Sequence, residues 1–407
     1  MASEMTEAGS YPIPSHVPAD RVYAAGITCS PDFLASPHSF MADLHDKAPP
    51  IFFDPGSPHY PPSWQILKHA DAYFVLRHPE YFTTKGTGPF PRDPDDYWRI
   101  IPLEVDPPDH RKYRALVDPL VSLSAIARME TSIRRLANEL IDQFVDRGAC
   151  EFAQDFGRPL PVGVFLDLMG LPRDMMDEFV RWAMGLLHAQ DRQVAVQVMA
   201  EVTEYLQAVI RDKAMHPDAL AVSAIVNGRP GGEEMSPREI FGFVFFLFIA
   251  GLDTVFATLN NIFLWLAQNP DRQREVRATA NIGNVVEELL RVFSVTFSGR
   301  TLVQDLELRG VLLKRGDKVT SVLPACNYDP EVFADPRRID FDRPRKPILA
   351  FGGGVHSCMG AHLARLEIRI CLEEFLRRIP AFSLQPGFSP EYWPGGVVGP
   401  KRVPLVW

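Results

Sequence analysis

Apolar residues recur at three- and four-residue intervals through most of residues 109–293, and this spacing predicts a series of amphipathic helices. Shorter runs rich in β-branched residues predict strands at residues 64–67, 299–303, 306–313 and 319–322. Residues 1 to about 62 are broken by prolines and show neither period, so irregular structure is expected there. The pattern therefore predicts a mainly α fold with a minor β portion.

One predicted helix is apolar on almost all sides of its first half, so it must run through the core. It begins at a capping box, with Ser236 as the N-cap and Glu239 three residues later, and it is about 30 residues long. Asp253 and Thr254 lie in its middle, although a buried carboxylate is costly unless it is paired or used. The plainer interpretation is a Thr254 hydroxyl bonded back to the carbonyl of Ala250.

Composition limits the partners of the protein. The 407 residues are 46% hydrophobic and carry a net charge of −9, which favours a soluble globular protein and disfavours nucleic acid or an anionic membrane. The longest apolar run, residues 240–252, is shorter than the roughly 18 residues of a membrane span. Five scattered cysteines and no signal peptide fit a cytoplasmic location. Without a linker, residues 1–407 are expected to form a single domain, with residues 1–20 poorly ordered.

Cys358 follows three consecutive glycines at the start of a predicted helix. A helix N-terminus favours the thiolate form, and glycines allow a flat, wide group to approach the backbone. A phosphate-binding G-x-G-x-x-G loop is excluded because Ser357 occupies the third glycine position. An inert packed cysteine, a nucleophile with His356 or His362 as its base, and a thiolate ligand to haem iron remain as interpretations.

The spacing Phe351-x-x-Gly354-x-x-x-Cys358-x-Gly360 resembles the haem-thiolate signature of the cytochrome P450 family. The resemblance implies the P450 fold, with haem b (iron protoporphyrin IX) between the long central helix and the helix after the cysteine. It also implies Cys358 as the axial ligand and metal-binding residue, with Phe351 and Gly360 next to the cofactor. It extends over residues 17–407 and is greatest to the soluble bacterial camphor-hydroxylating branch.

Two further segments follow the order of the family. "AGLDT", residues 250–254, resembles its oxygen-activating segment, which implies Asp253 and Thr254 as a proton relay and Ala250 beside the haem. "EELLR" and "DPRRID" imply a structural cluster of Glu288, Arg291 and Arg338. The resemblance also implies a basic partner for Asp253, for which the aligned segment offers Arg181 and His188.

The haem propionates need cations or hydrogen-bond donors. His110 and Arg114 are four residues apart and therefore lie on one face of a predicted helix. By resemblance these two residues, together with Arg300 and His356, hold the propionates. Ser298 stands where the camphor enzyme has an acidic residue, so that contact is expected to be weaker or absent.

The resemblance implies a monooxygenase that hydroxylates a small neutral hydrophobic substrate, a monoterpenoid or norisoprenoid similar to camphor or cineole. No flavin or nicotinamide fingerprint is present, so the electrons are expected from another protein. The resemblance implies that this other protein is an iron–sulfur ferredoxin, itself reduced by a separate flavoprotein reductase, and that the enzyme is a monomer. A different or larger apolar substrate, a peroxygenase, a haem sensor and a cysteine hydrolase remain alternatives. The residues implied to line the substrate pocket are Trp98, Leu103, Phe246, Ile249, Val295, Phe297 and Val397.

Polar side chains also recur every four residues along the helix after Cys358. With two cations of an earlier helix, they could form a basic docking surface for the ferredoxin, or they could be a solvated helix face. These residues are Arg365, Arg369, Glu373 and Arg377, together with Arg111 and Lys112.

Overall fold

The structure is a computed structural model that describes residues 11–56, 61–88, 97–189 and 191–407, without the side chain of residue 192. Helix accounts for 53% and strand for 10%, which confirms the mainly α fold with a minor β portion. The expectation of poor order in residues 1–20 lies, for residues 1–10, outside the described residues.

Helices fill most of residues 109–293, where the periodicity predicts them, and further helices lie before and after that segment. They are α1 (Pro31–Ala35), α2 (Pro37–Lys47), α3 (His69–Arg77), α4 (His110–Val117), α5 (Leu123–Asp142), α6 (Pro159–Met169), α7 (Met176–Leu187), α8 (Arg192–Met215), α9 (Ala221–Val226), α10 (Pro237–Leu252), α11 (Thr254–Gln268), α12 (Pro270–Ala278), α13 (Ile282–Val292), α14 (Leu323–Cys326) and α15 (Ala361–Arg378).

The strands are β1 (Ile51–Asp54), β2 (Ser63–Ile66), β3 (Phe82–Thr83), β4 (Ala149–Glu151), β5 (Ser298–Leu302), β6 (Leu306–Leu308), β7 (Val311–Leu313), β8 (Lys318–Ser321), β9 (Ser383–Leu384) and β10 (Pro404–Val406). Strands β2, β5 and β8 lie within one residue of their predicted positions. The single strand predicted at residues 306–313 is a hairpin, because Arg309 and Gly310 turn the chain with φ values of 48° and 73°.

The prediction of irregular structure before residue 62 was wrong, because α1, α2 and β1 lie there. Pro31 and Pro37 each occupy an early helical position, where the missing N–H of proline loses no hydrogen bond. The Ser30 hydroxyl caps α1 by accepting a hydrogen bond of 3.2 Å from the amide of Phe33. Prolines that suggested breaks in structure therefore mark helix starts.

The chain divides into two compact units. The first comprises the described residues of Met1–Pro89, Glu288–Cys358 and Pro394–Val398. Its five-stranded sheet has the order β1-β2-β8-β5-β3, in which β2 and β8 are parallel and the other neighbours are antiparallel. Buried side chains of this sheet and of α3 form the core of the unit, and they include Trp64, Ile66, Leu76, Phe82, Leu302 and Val319.

The second unit comprises the described residues of Phe90–Glu287, Met359–Trp393 and Gly399–Trp407. Its core surrounds α10, whose buried side chains pack with those of α6, α7 and α8. A small antiparallel sheet has the order β4-β10-β9. In the described part of the chain, the segment Pro237–Gln268 alone is long and apolar enough to cross a membrane. However, 61% of its most apolar window is buried, as in the core helix of a globular protein.

The predicted central helix is divided in two at Asp253. The capping box predicted at Ser236 and Glu239 is confirmed, with both reciprocal hydrogen bonds present. At Asp253 the backbone has φ −119° and ψ −32°, so α10 ends one residue before it and α11 begins one residue after it. The Thr254 hydroxyl donates to the carbonyl of Ala250 at 3.3 Å, which is the back-bonding that the plainer interpretation required.

Candidate active site

The cysteine loop of the first unit lies against α3 and exposes its thiol. Gly352 and Gly354 have φ values of 66° and 67°, a region that favours glycine. A Cβ atom on Gly354 would lie 2.3 Å from the carbonyl oxygen of Leu76, so a side chain there would force the loop away from α3. The amide of Cys358 donates to the carbonyl of Phe351 at 3.0 Å, and the Cys358 residue is exposed.

The exposure of Cys358 disfavours the interpretation of an inert packed cysteine. Cys150, Cys326 and Cys371 are buried, and burial raises the pKa of each of their thiols. Those three thiols are therefore protonated and shielded at neutral pH. An accessible thiol in a glycine loop suits a thiolate ligand or a nucleophile, so the two chemical interpretations of Cys358 remain.

Strand β5 positions Arg300 inside the first unit. The guanidinium of this buried residue donates to the Ser298 hydroxyl at 2.9 Å and to the carbonyl of Gly299 at 2.7 Å. The sequence suggested only that Ser298, in place of an acidic residue, would make a weaker contact to a propionate or none. In the structure its hydroxyl orients the Arg300 side chain. His356 lies in the turn Gly354–His356, with its Nε2 atom 3.4 Å from the Thr84 hydroxyl.

Three residues assigned to the substrate pocket come together in the first unit. The amide of Val398 donates to the carbonyl of Val295 at 2.9 Å, and Thr296 pairs with Val397 in an isolated antiparallel bridge. Phe297 follows directly along the chain and is half-buried. This bridge therefore holds Val295, Phe297 and Val397 close to one another.

The predicted structural cluster has a different third member. Arg291 donates to both carboxylate oxygens of Glu288, at 2.9 and 2.8 Å, and all four atoms are buried. The prediction of Arg338 as the third side chain was wrong, because Arg343 binds Glu288 at 3.1 Å. Arg338 instead contributes its backbone carbonyl, which accepts hydrogen bonds from Arg291 and Arg343. Arg343, five residues after Arg338, satisfies the carboxylate equally well, so the motif alone does not identify the third cation.

Asp253 of the second unit binds His188. The Nε2 atom of His188 lies 3.0 and 3.1 Å from the two carboxylate oxygens, and both residues are buried. A carboxylate only accepts hydrogen bonds, so the imidazole is the donor. The ring of Trp393 lies against the imidazole, with centroids 4.9 Å apart. Arg181, the other candidate, is exposed and binds Glu178 and Glu201.

The central helices leave one apolar face accessible. Ala250 is exposed, and Phe246, Ile249 and Thr254 are half-buried, although most of α10 and α11 is buried. Their spacing of i, i+3, i+4 and i+8 places them on one face. Thr254, a polar residue, thus lies at the end of an accessible apolar face. Such a face suits a flat apolar cofactor with a substrate above it.

Trp98 packs against the start of α10 instead of standing alone in a loop. Its ring contacts Phe241 and Phe245 edge-on, with centroids 4.9 and 4.8 Å apart. The next carbonyl, that of Arg99, would lie 1.9 Å from a Cβ atom at Gly242, so glycine is required for this approach. Leu103 joins the same hydrophobic cluster and is half-buried, so both predicted substrate residues are near α10.

His110 and Arg114 lie one turn apart on α4, as predicted. Burial and then the positive charge of Arg114 lower the pKa of His110 to about 4, so its imidazole is neutral at pH 7. Arg114 donates to Asp118 at 2.7 Å. A propionate near α4 would therefore meet one neutral donor and one cation.

The arginines of the polar stripe of α15 form ion pairs within the protein, while Arg377 remains exposed. Arg365 binds Glu287, and Arg369 binds Glu130 of α5 at 2.8 Å. Arg377 binds Glu374 on its own helix. On the earlier helix, Lys112 is exposed and pairs with Asp109 at 2.8 Å, and Arg111 is exposed. Sequence reasoning missed Glu130 of α5 as a partner. The periodicity of α15 shows only the residues of α15 itself, and this carboxylate lies on another helix.

Each unit separately carries features that fit a thiolate-bound haem. The first has an exposed cysteine after a glycine loop and a buried arginine, and the second has an accessible apolar helix face. Such features are those of haem-thiolate proteins. The sequence model of the family described as Cytochrome P450 matches residues 165–281 and 282–392. The chain belongs to the cytochrome P450 family, whose members bind haem through a cysteine thiolate, and it is a monooxygenase of that family.

Individual relatives agree with this assignment. The chain is 35% identical over 406 residues to "Probable cytochrome P450 127A1" of Sinorhizobium fredii, covering 97% of each protein. It is 31% identical over 358 residues to "Mycinamicin IV hydroxylase/epoxidase" of Micromonospora griseorubida, covering 83% of this chain and 90% of that protein. The crystal structure of CYP101J2 matches 97% of this chain and 99% of its own, with 30% identity and a TM-score of 0.85.

A second solved structure, that of CYP101C1, matches the same shares of both chains with 27% identity and a TM-score of 0.87. These two structures confirm the likeness to the camphor-type branch of soluble bacterial P450s. The cysteine-hydrolase interpretation of Cys358 is therefore dropped.

Proposed function

We propose that this protein hydroxylates a small, neutral, hydrophobic substrate, a monoterpenoid or norisoprenoid, with O2 and two electrons from an iron–sulfur ferredoxin. The proposal depends chiefly on the buried pair of His188 and Asp253, in which Asp253 directly precedes Thr254 between the central helices. A carboxylate buried in an apolar core is costly unless it is paired and used. Proton delivery is the use that fits its position in the sequence.

The residues that would hold haem b fall into two groups. In the first unit, Cys358 would bind the haem iron through its thiolate, and Gly352 and Gly354 give the loop before it the positive φ values that glycine adopts without strain. When bound, haem supplies the activation of O2 that insertion of oxygen into a C–H bond requires. The remaining residues proposed to contact haem are Phe351, Gly360 and Ala250, with His110, Arg114, Arg300 and His356 at the propionates.

The proton relay is proposed from the hydrogen bonds of Asp253 and Thr254. His188 donates to the Asp253 carboxylate and holds it in a core that excludes water. The Thr254 hydroxyl donates to Ala250 at 3.3 Å, which is long for a hydroxyl hydrogen bond. That hydroxyl can therefore exchange its partner and present a proton at the accessible helix face, where the reaction takes place.

The test of the relay compares two threonines of α11. Thr254→Ala should retain substrate binding and cofactor oxidation, but should release most of the reduced oxygen as hydrogen peroxide. Thr258→Ala is the control, because its hydroxyl donates to the carbonyl of Thr254 at 2.8 Å within the helix and should not affect coupling. The measurement is product and peroxide formed per reducing equivalent. Equal product yields from both variants would refute the relay.

The proposed substrate class follows from the character of the assigned pocket residues. They are bulky and apolar and include no arginine or lysine, which disfavours fatty acids and aromatic acids. Trp98 can donate one hydrogen bond and accepts none, which suits an ether or ketone oxygen. Burial of apolar surface at about 25 cal/mol/Å² is enough for micromolar binding after association costs.

The substrate test uses the shift in haem spin state on ligand binding. Compact ethers and ketones of the terpenoid class should bind at micromolar concentrations, and Trp98→Phe should weaken them by about threefold to tenfold, the loss of one neutral hydrogen bond. A larger apolar substrate is the second candidate. It is favoured by relatives named for a mycinamicin, a methyl-branched lipid and a steroid. Stronger shifts with long-chain or charged ligands, together with unchanged terpenoid affinity in Trp98→Phe, would favour that candidate.

We also propose that the protein is cytoplasmic and monomeric, and that its two units act as a single P450 domain. The apolar segment Pro237–Gln268 is mostly buried, which supports a soluble protein. A separate flavoprotein would reduce the ferredoxin. Reconstitution with peroxide alone separates this proposal from the peroxygenase alternative, because a ferredoxin-dependent enzyme should turn over far more slowly with peroxide.

A further inference from the structure

The side chain of Arg158 lies beside the relay segment. Arg158 directly precedes α6, and its guanidinium carbon lies 4.2 Å from the centroid of the Phe256 ring. Among the described residues, the guanidinium donates no hydrogen bond and forms no ion pair. A partly buried cation held only by an aromatic ring lacks partners for its five N–H groups.

Asp253 is the carboxylate available to this cation. Burial lowers the pKa of Arg158, and attraction to Asp253 and then to Glu151 opposes that effect. Glu151 already binds Arg402 at 2.9 Å and the amide of Val403 at 2.6 Å. Asp253 and Phe256 are three residues apart at the start of α11 and thus share a face, so the guanidinium lies on the side of Asp253.

His188 and Asp253 are held by different kinds of contact. His188 is held by Trp393, whose ring is in turn covered by the Lys401 ammonium at 5.2 Å. Asp253 itself lies at the break between α10 and α11, outside regular helical geometry. If the carboxylate moved away from His188, its charge would be buried and isolated unless another cation received it.

We propose that Arg158 is a positioning residue that serves as the second cationic partner of Asp253. In this structure the carboxylate binds His188. When it leaves His188, it takes up a proton from a solvent water and gives that proton to the Thr254 hydroxyl, which releases its own proton towards the reaction site. The guanidinium of Arg158 compensates the negative charge of the carboxylate before the proton arrives and after it has left. This inference rests on the proposed relay function of Asp253 and Thr254.

The first test measures the coupling without using activity. Arg158→Gln, Asp253→Asn and the double variant are unfolded by urea as haem-bound proteins. If the guanidinium stabilises the carboxylate, the two substitutions should be non-additive by about 2-fold to 150-fold in the unfolding equilibrium constant, the range of directly coupled pairs. Additive effects would overturn the proposal.

The second test uses the rate of oxygen consumption with substrate bound. Arg158→Gln and His188→Gln should each slow it by about threefold to tenfold, whereas the double variant should lose much more than the product of the two, because no cation remains for Asp253. Arg158→Lys keeps the charge and should restore most of the rate. A multiplicative double variant, or Lys no better than Gln, would contradict the proposal.

Arg173→Gln is the matched control, because it removes a guanidinium from the other end of α6, where it binds Asp167 at 2.7 Å. Arg173→Gln should show no coupling to Asp253→Asn in the unfolding measurement and should leave the rate of oxygen consumption unchanged. Retention of the long-wavelength Soret band of the reduced carbonyl complex verifies that each variant has folded around haem. If Thr254→Ala does not release peroxide, the relay itself is refuted. If Thr254→Ala releases peroxide as expected, but the effects of the Arg158 and His188 substitutions simply multiply, only the role of Arg158 is refuted.

Discussion

Glu367 is a buried carboxyl group that the proposed mechanism does not use. It lies on α15 with 3% of its surface exposed, and its Oε2 atom accepts no hydrogen bond from the described residues. Burial raises its pKa from 4.5 to about 8. The folded protein therefore keeps a proton on Glu367 at neutral pH that the unfolded chain releases.

This proton makes stability depend on pH in a defined direction. Between pH 4.5 and 8 the folded state binds more protons than the unfolded state, so stability falls as pH rises, by at most about 1.4 kcal/mol per pH unit. Glu367→Gln removes the titrating group, so the stability of this variant relative to the wild type should increase as the pH rises from 4.5 to 8. Urea unfolding at pH 5, 6, 7 and 8 measures the difference.

The control for Glu367 is Glu307→Gln, at an exposed position of β6. Its unfolding midpoints should follow those of the wild type at every pH. If the Glu367→Gln and wild-type curves run parallel from pH 5 to 8, the Glu367 carboxyl does not hold its proton in the folded state.

The partner of Asp253 shows what sequence can establish for a single residue. The resemblance supplied Arg181, in the middle of α7, and His188, which directly follows α7, and it could not choose between them. The choice is made by tertiary packing: Arg181 faces Glu178 and Glu201 at the surface, whereas His188 is buried against Trp393. The periodicity of one helix does not show which acidic side chains of another helix lie next to it, as Glu201 of α8 lies next to Arg181.

Among the elements, the pairing of α5 with α15 depends on a network of ion pairs. Arg134 of α5 binds Glu373 and Glu374 of α15 as well as Glu130 of its own helix. Its side chain is 30% exposed, so water screens these interactions only partly. Arg134 bridges three carboxylates that would otherwise repel one another, and Arg369 and Arg377 supply the other two positive charges of the network.

Arg134→Ala should therefore destabilise the protein by about 1–3 kcal/mol, the value of hydrogen bonds to charged groups. Arg135→Ala is the neighbouring control, because Arg135 is exposed and has only a 3.7 Å pair with Glu139, and its loss should be below about 0.5 kcal/mol. Urea unfolding in low and high salt is the measurement. Equal losses in the two variants would show that the network contributes no more than a surface pair.

The central helix marks the limit of prediction for elements. Its capping box and its burial follow from local sequence, since both depend on residues within one turn or on overall apolarity. The break at Asp253 does not, because the apolar run continues on both sides of it. The break accompanies a side-chain bond from Asp253 to His188, which is 65 residues distant in the chain.

For the whole molecule, the net charge of −9 conflicts with attraction to an acidic ferredoxin unless cations are clustered locally. The arginines of the stripe on α15 bind carboxylates, and Lys112 on α4 likewise binds Asp109. Arg111 on α4 is exposed and forms no ion pair with the described residues. We therefore expect Arg111 to contribute more to docking than the arginines of α15.

Ferredoxin-driven turnover should fall as salt rises, because complementary charges are screened beyond about 8 Å at physiological ionic strength. Arg111→Glu should lower the second-order rate of reduction by ferredoxin by about tenfold at low salt, with substrate binding and reduction by dithionite unchanged. Arg365→Glu is the contrasting variant, because it opposes Glu287 within the protein and should lower stability instead. Stopped-flow reduction by ferredoxin and by dithionite separates the two effects. If Arg111→Glu slows both reductants equally, or if salt leaves the ferredoxin rate unchanged, α4 has no part in docking.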